Sequence, residues 1–182
     1  MTTCARMDAS PRTLERLNQR KMKTLYLLRH AKSDWSEPAV ADHDRPLNRR
    51  GKRARTIVAT HLSGWHVDLV VCSPARRARQ TAKPVVAALG CRVQYEDALY
   101  AAVPARLTGV VRMLPDGYES VMLVGHNPSL EEFTAMLCGQ SPNYPTAAVA
   151  TIDLSIDTWD EVSPGCGTLA AFVTAKQLEA TN

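Results

Sequence analysis

The sequence predicts an α/β fold: a three-layer α/β/α sandwich with a mostly parallel central sheet and an antiparallel edge strand. Three observations carry that expectation. Short continuous apolar runs, TLYLLR (24–29), DLVVCS (68–73) and SVMLVGH (120–126), mark strands covered on both faces. Segments with apolar residues at helical spacing alternate with these runs, as parallel strands joined by crossover helices require. Two further strand-like stretches, VATIDLSI and GTLAAFVTA, then follow one another across a polar turn around residues 157–167.

Residues 1–21 are polar, with no heptads and no strand alternation. They also lack the roughly 7–15-residue apolar segment of a secretory signal, and a disordered leader is expected there. A single domain is expected over 22–182, and Met22 offers a second possible translation start. After TLYLLR comes a loop rich in Asp and Pro, then PLNRRGKRARTIVATHL. The latter predicts a helix with Asn48 as cap and Ala54, Ile57, Val58 and Leu62 on one side. DLVVCS is the second strand. ARRARQTAKPVVAALG predicts a helix stopped by Gly90, which Pro84 is expected to kink or divide. RVQYEDALY holds a third strand, and PARLTGVVRML a helix with Pro104 in its first turn. Beyond SVMLVGH, NPSLEEFTAMLCG predicts a helix capped by Asn127, with Pro128 at its first position and Gly139 past its end. The two last strands are expected to finish the chain.

A chain of 182 residues can bury one core of ordinary size. It has no run of about 18 apolar residues, so no membrane span is expected. The formal charge of +4 is unevenly placed: residues 24–83 carry 12 basic and 5 acidic side chains, residues 84–182 carry 4 and 11. Positive charge concentrated in the first half of the domain suits focusing of a small anion. A long polyanion would call for a broad basic stripe with interleaved aromatics, and aromatics make up only 5% of the chain. Neither nucleic acid nor membrane is therefore expected as a partner. Five cysteines form no CxxC pair and no zinc-ligand spacing, which points to a reducing cytoplasm, with Cys72 a small core residue.

Parallel strands present their C-terminal ends on one rim of the sheet, where ligands of open α/β sheets bind. The residues that follow the first, second and fourth strands are Arg29-His30-Ala31, Ser73-Pro74-Ala75-Arg76-Arg77 and Gly125-His126-Asn127. Two histidines and several arginines thus converge from three places. The arginine fork donates charge-assisted hydrogen bonds that match a phosphoryl group. A histidine, substantially neutral at pH 7, can act as a nucleophile, and helix N-termini at the same rim add further N–H donors. The set lacks the carboxylate cluster of a magnesium-dependent phosphotransferase, and no GxxxxGK[ST] or GxGxxG run is present. No metal and no cofactor are expected.

RHAKSDWS resembles the RHG signature of the histidine phosphatase (phosphoglycerate mutase-like) superfamily. DHDRPLNRRG, CSPARRARQTA and VGHNPSL follow in that family's order over about residues 24–174. The short length and wording look most like its compact SixA branch, the phosphohistidine phosphatases. The resemblance implies a compact phosphoglycerate mutase-like fold and a covalent mechanism. In it His30 accepts the phosphoryl group, Arg29 and Arg77 clamp its oxygens, and His126 binds an oxygen and stabilises charge. Arg45, in DRPL, is a further candidate for substrate binding, with a salt bridge to Asp42 or Asp44 as its alternative. Arg76 falls one place off the motif and is read as an exposed or substrate-facing charge.

Two departures bear on the chemistry. The usual glycine after Arg-His is Ala31 here, acceptable if its φ is negative. Many members take a glutamate general acid from the segment after the third strand, where only Glu96 and Asp97 stand; Asp97 is the candidate acid. Imidazole leaving from phosphohistidine needs protonation far less than an alkoxide does, its conjugate acid having a pKa of about 6.5. A weak acid therefore suits phosphoramidate hydrolysis. The expected substrate is a protein phosphohistidine. A phosphatase of small phosphomonoesters and a non-catalytic phosphate- or phosphoprotein-binding module are the alternatives, and the default assembly is a monomer. His43, His61 and His66 are read as structural or surface residues, and RRGKRAR (49–55) as a solvated helix face or an acidic-partner docking surface. Trp35 is placed either at the pocket mouth or packed over the first loop.

Overall fold

The computed structural model describes residues 22–140 and 142–181; the expected leader at 1–21 lies outside the described residues. Six strands, β1 (Lys23–Arg29), β2 (Leu69–Cys72), β3 (Arg92–Tyr95), β4 (Ser120–Gly125), β5 (Val149–Leu154) and β6 (Gly167–Val173), form one sheet. Their order is β3-β2-β4-β1-β5-β6. The first four strands in the chain run parallel. β5 pairs antiparallel with β1, and β6 antiparallel with β5. The expected antiparallel edge is thus a hairpin whose reversed strand lies one in from the edge.

Period-two alternation along the strands divides the core between two layers. Leu25, Leu27, Val121 and Leu123 face α3 (Pro104–Arg112) and α4 (Ser129–Cys138), meeting Leu107, Val111, Phe133 and Leu137. Leu28, Val70, Met122 and Val124 face the other way, onto α1 (Arg49–His61) and α2 (Arg76–Leu89), meeting Val58, Leu62, Ala78 and Val85. A further helix, α5 (Ala175–Thr181), follows β6 where the sequence suggests only strands; no residue in it is fully buried, and Ala175 and Leu178 pack on the second layer.

Local chemistry explains the other differences. Pro84 has no N–H to give the carbonyl of Gln80 one turn back, yet α2 continues through it. Arg55 of α1 takes that carbonyl instead, its guanidinium donating at 2.7 Å. Asn48 caps α1 as expected, accepting from the Gly51 N–H at 2.8 Å. Asn127 does not cap α4: the helix starts at Ser129, and the Asn127 side chain donates to Glu131 and to the Tyr144 carbonyl. Gly90 and Gly139 end α2 and α4 in the left-handed conformation.

The rim is level. Arg29 pairs in register with Gly125, and Cys72 with Val124, so β1, β2 and β4 end together. The loop after β1 is then fixed by neighbours from the DRPLN and RQT segments. Asp34 N–H donates to Pro46, Asn48 N–H to Lys32, Leu47 N–H to the Gln80 side chain and Ala31 N–H to the Thr81 hydroxyl. Gly51 lies against this loop so closely that an added Cβ would sit 2.1 Å from the Lys32 carbonyl oxygen. Helix propensity alone would favour alanine there by about 1 kcal/mol, whereas an unrelieved backbone clash costs about 1–3 kcal/mol or more. Gly51→Ala is therefore expected to lower the urea unfolding free energy by about 1–2 kcal/mol and to loosen the loop that follows β1. An unchanged or higher midpoint would show that the contact does not constrain the loop.

Candidate active site

Arg77, the second residue of α2, brings the rim together. Its Nε donates to His30 Nε2 at 3.3 Å, and one terminal nitrogen donates to His126 Nδ1 at 3.2 Å. The same nitrogen reaches the Asp42 carboxylate at 2.9 Å, and the other donates to the Asp42 carbonyl. The two imidazole rings stand 4.9 Å apart. Arg29 leaves the end of β1 and donates to the Tyr144 carbonyl, while its Nε has no partner among the described residues. All four residues that the sequence brought to one rim, Arg29, His30, Arg77 and His126, therefore stand together.

The hydrogen-bond partners assign the histidine tautomers. A guanidinium has no acceptor, so each ring nitrogen facing Arg77 presents a lone pair. His30 must then carry its proton on Nδ1, which donates to the Ala31 carbonyl at 2.8 Å. His126 carries its proton on Nε2, which donates to the Ser73 hydroxyl at 2.8 Å. Burial lowers the His30 pKa to about 4; the charges of Arg77 and Arg29 add to this, and the Ala31 carbonyl opposes it. Burial, His30 and Arg77 take His126 down to about 3. Both rings are neutral at pH 7, and His30 Nε2 is a free base.

Asp42 is the residue that the motif reading underused. It lies in a short 3-10 turn, Asp42–Asp44, and its carboxylate also accepts from Tyr100 Oη at 3.0 Å. Burial would raise its pKa, but hydrogen bonds from Tyr100 and Arg77 and the Arg77 charge outweigh that, and the net shift is downward. Tyr100 packs edge-on to His126, with ring centroids 5.6 Å apart. His30, Arg29, Arg77, Asp42, Lys32 and Trp35 help to line a cleft of about 230 Å³. That is below the roughly 300–1,000 Å³ that encloses a drug-sized ligand, and it leaves room for a small anion. His126, only 6% exposed, lies behind Arg77 rather than in the lining. Larger clefts of about 570 and 620 Å³ lie elsewhere and contain none of the four.

The remaining candidates are placed as follows. Arg45 is buried but donates to the Glu37 and Pro38 carbonyls and stacks on Trp35 at 4.2 Å; among the described residues it makes no ion pair with Asp42 or Asp44. It clips the loop over the cleft, and Trp35 serves both the mouth and the loop. Asp97 opens a 3-10 turn at Asp97–Leu99 and makes no hydrogen bond or ion pair with the four among the described residues; Glu96 caps that turn through the Ala98 N–H. What the segment brings to the site is Tyr100. Arg76 is exposed on the side of Asp44. Ala31 is buried and has no positive φ. Cys72 is a core residue whose thiol burial pushes up to about 12. Ser73, Thr81 and Tyr100 were missed, because hydroxyls carry no motif of their own until a partner is in place.

Comparison with known proteins places this geometry. The family model for the histidine phosphatase superfamily (branch 1) matches residues 25–101, which include Arg29, His30 and Arg77. An uncharacterized protein of Mycobacterium tuberculosis is 31% identical over 162 residues, covering 80% of this chain and 98% of its own. A candidate phosphohistidine phosphatase SixA from Nakamurella multipartitia superposes with a TM-score of 0.75 at 28% identity, covering 84% of this chain and 95% of that one. The protein histidine phosphatase SixA complexed with tungstate gives a TM-score of 0.70 at 25% identity, covering 85% and 99%. By its sequence relatives and its fold alike, the chain belongs to the histidine phosphatase superfamily.

Proposed function

We propose that this protein is a metal-independent phosphatase that acts through a covalent phosphohistidine on His30, and that its substrate is a protein-borne phosphohistidine. The observation that carries the reading is the free base at His30 Nε2, 3.3 Å from Arg77 Nε in a cleft with room for a small anion. The Nε2 lone pair attacks phosphorus as the bond from phosphorus to the substrate nitrogen breaks in line with it. The substrate ring, already protonated by solvent on its other nitrogen, keeps that electron pair and leaves as neutral imidazole. Arg29 and Arg77 hold the equatorial oxygens, and the Nδ1–H bond to Ala31 stabilises positive charge on the phosphorylated ring. Water then attacks phosphorus, the P–N bond to His30 breaks, and inorganic phosphate leaves with the ring restored.

Asp42 favours the phosphohistidine reading over an ester. Its lowered pKa leaves it ionised at neutral pH, so it accepts hydrogen bonds and cannot protonate an alkoxide. Imidazole, a far weaker base than an alkoxide, departs without such help. The names of the SixA neighbours support the same substrate class.

Acid-quenched reaction with a ³²P-phosphohistidine protein is expected to leave label on the wild type and none on His30→Ala, with turnover resistant to EDTA. Faster hydrolysis of a sugar phosphate than of phosphohistidine would reassign the substrate to small monoesters, and absence of label on the wild type would refute the nucleophile. Asp42 competes with phosphate for Arg77 through a half-exposed pair worth about 0.5–1 kcal/mol. Asp42→Asn should therefore lower the inhibition constant of inorganic phosphate about two- to fivefold; a higher constant would make Asp42 an orienting partner instead. The histidines also set a pH window. Their folded pKa values lie below 6.5, so the unfolded chain binds protons first as the pH falls. Stability present above pH 6.5 should decline progressively towards pH 4, before the carboxylates titrate, and a urea midpoint flat across that window would contradict the assignment.

A further inference from the structure

A second groove of about 230 Å³ runs between α1 and α5 and adjoins the catalytic cleft, Lys32 and Thr146 lining both. Four cations edge it: Lys32, Arg50, Arg53 and Lys176. The acid among them, Glu179, pairs with Arg53 at 3.4 Å. Lys32, Arg50 and Lys176 are exposed and have no acidic partner among the described residues.

We propose that this groove docks an acidic segment of the phosphoprotein substrate, an inference that rests on the protein-phosphohistidine reading. On that reading the catalytic cleft takes the phosphoryl group. A polypeptide leaving the cleft past Lys32 then runs onto a surface whose unpaired charge is positive. Aspartate or glutamate side chains there meet three cations that lack an internal counter-charge. No aromatic side chain lines the groove to stack a base, which disfavours a nucleic acid. Residues 1–21 of the chain carry five basic and two acidic side chains, a balance that opposes their own docking in it. Exposed charges act chiefly on encounter and on KM, and salt screens them within about 8–10 Å.

The test uses the full chain, wild type and the double variant Arg50→Glu/Lys176→Glu, neither position being part of the catalytic set. Two phosphohistidine peptides serve as substrates, one flanked by four aspartates and one by four serines, beside the free amino acid phosphohistidine. The wild type is expected to favour the aspartate peptide about tenfold in kcat/KM, through KM, with the preference collapsing at 0.5 M salt. The variant should lose that preference and keep its rate on free phosphohistidine. Equal wild-type rates on the two peptides, or a preference that survives in the variant, overturns the groove. Fluorescence anisotropy of the unphosphorylated aspartate peptide reads docking separately from chemistry. Binding by the wild type and not the variant upholds the groove even if phosphohistidine is not hydrolysed, an outcome that would sink only the substrate reading. Failure of that peptide to bind the wild type, with charge-dependent binding of phosphatidylserine vesicles or of an oligonucleotide in its place, would assign the groove to another polyanion and overturn the proposal.

Discussion

The site depends on one guanidinium. Arg77 touches His30, His126 and Asp42 at once, and a planar, permanently charged fork is the side chain able to do so. Because it can only donate, it forces a lone pair onto the facing nitrogen of each imidazole. From that follow the two tautomers, the bond from His30 to its own loop and the bond from His126 to Ser73. A lysine at this position offers its three donors from a single nitrogen in place of a planar fork. The tight turn at Asp42, the start of α2 and the common ending of β1, β2 and β4 matter chiefly because they put the ends of this network in register.

The motif residues that do no chemistry gain physical roles in this light. Thr81 accepts from the Ala31 N–H and donates to the Arg77 carbonyl, so one hydroxyl ties the loop of His30 to the helix that carries Arg77. Gln80 holds Leu47 through its side chain, and its carbonyl, orphaned by Pro84, is held by Arg55. Gly51 lets α1 pack on the carbonyl two residues beyond His30. Ala147 adopts a left-handed φ of 63°, and its N–H is shared between the carbonyls of Arg29 and His30. His30 is thus fixed from three sides, by backbone and hydroxyl groups rather than by exposed ion pairs.

The strands and the rim were legible because continuous apolar runs and their polar ends are strong local signals: Arg29, His30 and His126 sit where such a run stops, and Arg77 stands in the first turn of the helix that follows the second run. What was not legible depended on contacts between segments distant in the chain. Arg45 was read as a possible phosphate ligand, yet the carbonyls of Glu37 and Pro38 claim it. Glu96 and Asp97 are the acids that the segment offers in sequence, whereas Tyr100 is its member that reaches Asp42. Pro84 signals a break that Arg55 compensates, through a bond to the Gln80 carbonyl that spans 25 residues of chain. Helix α5 is not legible in the sequence because seven residues with none fully buried leave no apolar period to read.

The central claim is that His30 is neutral, with its proton on Nδ1 and its lone pair on Nε2. Long-range ¹H–¹⁵N correlation of the histidine side chains between pH 7 and pH 5 tests it directly. The account predicts a pyrrole-type Nδ1 and a pyridine-type Nε2 for His30 throughout that range. An imidazolium at pH 6, or the proton on Nε2, would contradict it.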